Sequence, residues 1–492
     1  MPDTPGTTSS VPADAASGYV SPLATRNASP EMQAIWSARR RFGLWRRLWL
    51  ALAESEAELG LPITPEQIAD LRAHLDPTDE ELARARAHEA RLRHDVMAHV
   101  HALGEAAPKA RPILHLGATS QFVNCNAETI LIREALDLVC VKAARVIDAL
   151  ADFALTHREA PTLAFTHYQP AQPTTVGRRG AGWAYDLSLC LERLERTRDT
   201  LRLRGVKGAT GVQASFLALF DNDAEKVERL DARVCEALGF GADDRHALTG
   251  QTYPRVTDAF VLGDLAATAS VIHKVCNDVR LLCNRKELDE PFADAQIGSS
   301  AMPYKRNPMR CERATGLARF VMNLAPNALD TAATQWLERT LDDSANRRLS
   351  LPESFLALDG CLDLLHNVAG GLVVHGATVR ANLLAELPFL ATENLMMAAV
   401  RLGRDRQEVH EAIRRHAQAA GARVKDEGQP NDLLDRLRDE PLLAGVDLDA
   451  GLDPARYVGL APRQVDVFLE TIAGPIRARY AGRLAPPSEP MV

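Results

Sequence analysis

Read as apolar and polar positions, the chain is dominated by spacings of three and four. From Glu31 to Gly60 apolar residues recur at helical intervals (Ile35, Ala38, Phe42, Trp45, Trp49, Leu52) among many arginines, which predicts one amphipathic helix. Pro62, Pro65 and Pro77 then cut the pattern into shorter pieces. A His-rich stretch from Arg91 to His101 and a Pro/Gly-punctuated run to Gly117 follow. Between Ala127 and Ala160 there is neither proline nor glycine, and Ile132, Leu136, Val139, Ala143, Val146, Leu150 and Phe153 form a continuous a/d stripe. A helix of about 30 residues is ~45 Å long, far above the globular mean. A second stripe runs Val261, Leu265, Thr268, Ile272, Val275, Val279, Leu282, with Pro254 placed where a first helical turn tolerates it. Arg178 to Arg204 and Met309 to Leu324 repeat the pattern, and strand-like alternation is hard to find.

Long apolar stripes need partners, so these segments predict a bundle of long helices. The resulting expectation is an all-α chain in three helical domains. A disordered tail spans 1–18, an N-terminal domain 19–119, the central bundle 120–374 and a C-terminal domain of shorter helices 375–492.

Composition narrows the class further. The chain has 492 residues, 46% apolar and 25% charged, which suits a soluble globular protein with large cores. Its net charge of −8 argues against loose, charge-driven binding to nucleic acid or acidic membranes, so an anionic ligand needs a local basic pocket. Eight cysteines are scattered without a C-x-x-C pair, so neither a zinc ribbon nor a secreted disulfide framework is suggested and a reducing cytoplasm fits best. The N-terminus lacks the basic start and apolar core of a secretory signal, and no window approaches ~18 consecutive apolar residues.

The candidate chemistry lies between two helices, in PFADAQIGSSAMPYKRNP, residues 291–308. Loops longer than ~12–15 residues in a compact bundle are usually functional. Gly298 frees the backbone, Ser299 and Ser300 set hydroxyls beside consecutive N–H groups able to cradle an anion, and Lys305 adds a mobile cation. The bland alternative for a Gly-Ser-Ser run is a solvated linker, but the whole string is more specific than its parts.

That string resembles the signature loop of the fumarase/aspartase superfamily, Gly-Ser-Ser-x-Met-Pro-x-Lys-x-Asn-Pro. Gly298, Ser299, Ser300, Met302, Pro303, Lys305, Asn307 and Pro308 match every fixed position. The likeness extends from about Ser21 to the region of Arg477. It includes RHDVMAHVH (93–101), HLGATS (115–120), FTHYQPAQ (165–172), RGVKGATGVQASF (204–216), TGQTY (249–253) and ERTLDDSANRR (338–348), and is strongest to the branch that acts on succinylated purine nucleotides.

The resemblance implies a homotetramer with active sites shared between subunits, no cofactor and no metal. It implies β-elimination of fumarate from adenylosuccinate to give AMP and from SAICAR to give AICAR. Such a reaction needs a base for a carbon-bound proton, an acid for the departing nitrogen and cations for the intermediate. By the resemblance Ser299 is the base and His167 the acid. Lys305 and Asn307 hold the succinyl carboxylates, helped by Thr119 and Ser120, and Arg339, Ser344 and Arg348 hold the phosphate. Arg26, Arg93, His94, Asp95, His115, Gln251 and Arg313 are further substrate contacts. Two positions depart from the branch: Arg26 is followed by Asn27, where relatives carry Tyr, and the turn after Thr119-Ser120 lacks the usual Asp.

Other readings compete. His94, His99 and His101 hint at a metal site, but spacings of five and two do not share one helical face and no HExxH accompanies them. Gly205, Gly208 and Gly211 with Lys207 mimic a phosphate loop without Walker or Rossmann spacing. An argininosuccinate-type lyase would share the signature loop but lack the phosphate-binding string. A helical scaffold without activity would need none of Ser299, His167 and Lys305.

Overall fold

The stretch without proline or glycine folds as the longest helix in the chain's computed structural model, which describes residues 18–293, 295–449 and 453–490. The expected N-terminal tail therefore lies outside the described residues, save Gly18. Five bundle helices follow one another: the first, Ser120–Thr156, then Val176–Asp199, Val256–Asn284, Met309–Ala333 and Asp343–Gly371. The first, at 37 residues, is ~55 Å long at 1.5 Å per residue. Every residue of the two predicted a/d stripes is buried, and they meet in one core with Trp183, Leu187 and Leu191 of the second helix and Phe355, Leu358 and Leu362 of the fifth. By length and composition the third bundle helix could cross a membrane, but its apolar side faces that core.

Side-chain pairs fix the directions of the helices. Arg347 of the fifth donates to Glu128 of the first, and Lys142 of the first pairs with Asp363 of the fifth at 2.7 Å, so these two run parallel. Arg193 of the second meets Asp264 of the third, and Trp183 donates to Asp278, so these two run antiparallel. The bundle thus has one end with Ser120, Arg255 and Asp343, called here the near end. The far end carries Thr156, Arg285 and Met309. Along the third helix, from Asp258 to Arg285, the two are roughly 40 Å apart.

Three expectations are corrected. The single helix expected over 31–60 is two, Pro30–Ile35 and Ala38–Glu58, because Ser37 leaves helical geometry and its side chain accepts from Arg40 N to cap the second. The fourth bundle helix continues past Pro326 to Ala333 instead of stopping near Leu324. Strands do exist: β1, Pro161–Thr166, pairs antiparallel with β2, Gln169–Thr175, and Leu288–Asp289 pairs with Val373–Val374. Two smaller cores complete the description. One joins residues of 44–131 to 203–240, and the other gathers residues of 391–448.

Candidate active site

At the near end the residues of the 338–348 string form the mouth of a buried ionic network. Arg347 Nε donates to Asp258 Oδ2 and its NH1 to Glu128 Oε2, both at 2.7 Å, while Tyr253 OH donates to Asp258 Oδ1 at 2.6 Å. Arg255 and Arg339 both donate to Asp343, each at 2.8 Å. Burial pushes the Glu128 carboxyl up, but Arg347, Arg255 and Arg41 outweigh it and hold the group below the usual carboxylate range. The network frames a recess of about 70 Å³ lined by Arg41, Asp95, Arg255, Arg339, Ser344 and Arg348 among others, room for a small anion. Arg255 NH1 and Arg339 NH2 are buried there without an acceptor among the described residues, so donors stand ready for one.

The neighbouring predicted residues gather around this recess. Arg348 pairs with Asp95 at 2.8 Å. Gln251 N donates to Glu338 O at 3.0 Å, which seats the TGQTY turn beside Arg339. Arg93 closes its helix in the left-handed region at φ 56°, and the exposed His94 caps the next one by accepting from Met97 N. His115 is the most constrained of the set. Trp49 Nε1 donates to its Nδ1 at 2.9 Å, while burial, with His94 beside it, pushes its pKa down to about 4. It is therefore neutral at pH 7 with its proton on Nε2, a donor toward a ligand. Thr119, at the N-terminus of the first bundle helix, makes no side-chain cap, so its hydroxyl and that of Ser120 stay available where the helix dipole favours an anion.

The far end carries the other half. β1 and β2 are joined by a two-residue turn, His167-Tyr168, with φ of 53° and 57°. Such a turn ordinarily takes Asn and Gly, and a His held there is a strained residue presented to solvent. The 298–308 loop folds back on itself. A Cβ on Gly298 would sit 2.0 Å from Lys305 O, Asn307 Nδ2 donates to Gly298 O at 2.7 Å, and Met302 N donates to Ser299 Oγ at 3.1 Å. An N–H aimed at that hydroxyl oxygen favours its anionic form. Asn307, expected on a carboxylate, here closes the loop. Lys305 is exposed. Arg313, one turn into the fourth helix, donates to Asn27 Oδ1 at 2.9 Å and to Arg26 O, so Asn27 helps orient this arginine.

One chain thus brings together His94, Asp95, His115, Thr119, Ser120, Gln251, Arg339, Ser344 and Arg348 at one end. It leaves His167, Ser299, Lys305 and Asn307 at the other. Sequence reasoning missed Arg41, Arg255 and Arg347. Arg255 follows the TGQTY motif by two residues and Arg347 adjoins Arg348, so both were within reach. The three histidines weighed as metal ligands go separate ways, since His99 stacks on Phe42 at 3.8 Å, His101 faces His88, and His94 is a helix cap.

Comparison with known proteins defines the class first. Residues 24–323 match the model of the lyase family, and the chain belongs to it, within the fumarase/aspartase superfamily. The solved structure of 3-carboxy-cis,cis-muconate lactonizing enzyme from Pseudomonas putida superposes with a TM-score of 0.79 at 28% identity, covering 92% of this chain and 99% of that one. Residues 388–468 match the model described as adenylosuccinate lyase C-terminus. Adenylosuccinate lyase of Saccharomyces cerevisiae is 51% identical over 455 residues, 92% of this chain and 94% of that protein. That of Schistosoma mansoni is 47% identical over 95% of this chain and 97% of its own length. Within the superfamily, the chain belongs to the adenylosuccinate lyases.

Proposed function

We propose that this chain eliminates fumarate from adenylosuccinate to leave AMP, and from SAICAR to leave AICAR. Ser299, as its alkoxide, takes the proton from the succinyl carbon next to the one bearing nitrogen. Lys305 balances the negative charge that builds on the adjoining carboxylate. The C–N bond then breaks, its electron pair goes to the departing nitrogen (the amino nitrogen of AMP or the carboxamide nitrogen of AICAR), and His167 donates a proton there. Asn307 contributes by closing the loop that carries Ser299. The near end holds the rest of the substrate: Arg339, Ser344 and Arg348 with Arg255 take the phosphate, and neutral His115 donates through Nε2.

The observation that carries the nucleotide part of this reading is the arginine recess with its spare buried donors. A fumarate-releasing enzyme whose substrate lacks a phosphate has no use for it. Because roughly 40 Å separates the two ends of one bundle, far more than a nucleotide spans, we infer that complete sites form only in a homotetramer, from the near end of one subunit and the far ends of others. Eight free thiols suit a reducing cytoplasm. The test is the loss of absorbance when purified protein meets adenylosuccinate, with argininosuccinate as control. Turnover of argininosuccinate alone would overturn the assignment.

A further inference from the structure

Pro291 opens the signature loop and Arg310 follows its end, and both are gripped where the fifth bundle helix stops. Pro291 lies against Gly371, where a Cβ would approach its ring to 2.6 Å. The neighbouring Gly370 is covered by Pro487 of the C-terminal segment, to which a Cβ would come within 2.2 Å. Arg310 ties the two together. Its NH1 donates to Pro291 O, its NH2 pairs with Glu489 Oε2 at 2.9 Å, and its backbone N–H donates to buried Glu290 at 2.9 Å. Asn367 Nδ2 holds Ser488 O and Arg145 Nε holds Arg483 O, each at 3.0 Å. Between these anchors Leu484 to Pro487 roof a cleft of about 540 Å³ that also includes Asp148, Asp152, His157 and His366. The segment bridges this cleft between its anchors, with Leu484 packed against the main core.

We propose that residues 484–489 are a strap that fixes the root of the signature loop, with Arg310 and Glu489 as positioning residues for Ser299. The inference rests on the reading of Ser299 as the base. Pinning both roots of a long loop removes conformations in which the serine faces away from its substrate. The phosphate is bound at the opposite end of a bundle, so loosening the strap acts on turnover more than on binding.

The test uses full-length Gly370→Ala and Glu489→Gln, with Glu489→Asp as the conservative control. Gly370→Ala puts a methyl group where Pro487 sits, while alanine is the better helix former at that exposed position, so the variant folds and only the strap is expelled. Trypsin cleavage after Lys305 and Arg306, located by mass spectrometry, reads the loop without reference to activity. In both disruptive variants we expect that cleavage to quicken about fivefold and kcat to fall by a similar factor, with KM within about twofold, as for loss of a half-exposed ion pair and its packing. Glu489→Asp should stay near wild type. Unchanged cleavage in Gly370→Ala would overturn the strap, and quickened cleavage with unchanged kcat would overturn its positioning role. Were the wild type inert toward adenylosuccinate, the lyase reading would fail while the cleavage arm still decided whether the strap exists.

Discussion

At the near end of the bundle Arg347, Asp258, Tyr253, Arg255 and Asp343 are each buried and each bonded to another of the set, whereas at the far end His167 and Lys305 face solvent from a two-residue turn and a long loop. The near end is built before substrate arrives, with helices fixing the guanidinium groups and leaving spare donors directed inward. The far end presents its candidate proton-transfer groups on a hairpin turn and a long loop, the kind of segment from which active-site loops are drawn. On the proposed reading, binding and chemistry fall to differently constructed regions, and their separation in one chain is what the shared-site proposal rests on.

The largest expected effect breaks the far end alone. Ser299→Ala and His167→Ala should each lower kcat by about 10²–10⁴-fold with KM little changed, because each removes a proton transfer made only in the transition state. Steady-state absorbance assays decide it, and near-normal turnover would remove that residue from the mechanism. If the two inactive proteins are dissociated, mixed and reassembled, some hybrid sites draw an intact serine from one subunit and an intact histidine from another, and a minority of wild-type activity should return. Verified hybrids as inert as both parents would place the two residues in one subunit.

The near end should show its character in stability. Arg347→Met leaves Glu128 and Asp258 as buried carboxylates without their main partner, a change that costs about 3–5 kcal/mol. Lys305→Met at the exposed far loop should cost less than about 0.5 kcal/mol. Denaturant unfolding of both variants measures the contrast, and equal costs would erase it.

How much of this was legible beforehand follows from what each feature depends on. The two a/d stripes are local and periodic, so the third bundle helix was readable from Val261 to Leu282, as was the loop after it. Ser37 defeated the N-terminal reading because a side-chain cap interrupts a helix without altering its apolar spacing. The hairpin at His167 escaped because Thr-His-Tyr-Gln carries none of the Gly or Asn residues that ordinarily mark a two-residue turn with both residues left-handed. Pro326, on the exposed side, did not end its helix, since burial of Val321 and Ala328 on the same helix outweighs one lost hydrogen bond. The candidate residues were named through motifs, but their division between two ends of one bundle depends on helix directions that no single stretch encodes. Arg255 and Arg347 were missed because a buried arginine looks like any other until its partners, 88 and 89 residues away, are in place.

A third measurement tests the helix that supports His115 from behind. Glu56 lies on Ala38–Glu58, the helix that carries Trp49, and is fully buried with neither carboxylate oxygen bonded to a described residue. Burial pushes its pKa up to about 8. A carboxyl raised in the folded state is protonated there while ionised in the unfolded chain. Its stability contribution is therefore intact below the ordinary carboxylate range and is lost as pH climbs toward 8. Glu56→Gln should match wild type near pH 4.5 and gain ~2–4 kcal/mol at pH 8 by that linkage. Thermal unfolding across this range measures it, and a gain independent of pH would show that Glu56 does not titrate there.

The smallest effect sharpens the comparison at the rim of the recess. Arg348 is half-exposed and its pair with Asp95 is open to water, so its removal should alter stability by no more than about 1 kcal/mol. In its proposed role as a phosphate ligand it would contact substrate equally in the ground and transition states. Arg348→Ala should therefore raise KM for adenylosuccinate about tenfold with kcat nearly unchanged, the reverse of the pattern expected for Ser299→Ala. A version of the substrate without its phosphate should lose affinity for wild type and be indifferent to the mutation. If KM stays at its wild-type value, or if the dephosphorylated substrate suffers as much from the mutation as the intact one, the recess is not where the phosphate binds. The near end would then be a structural network alone.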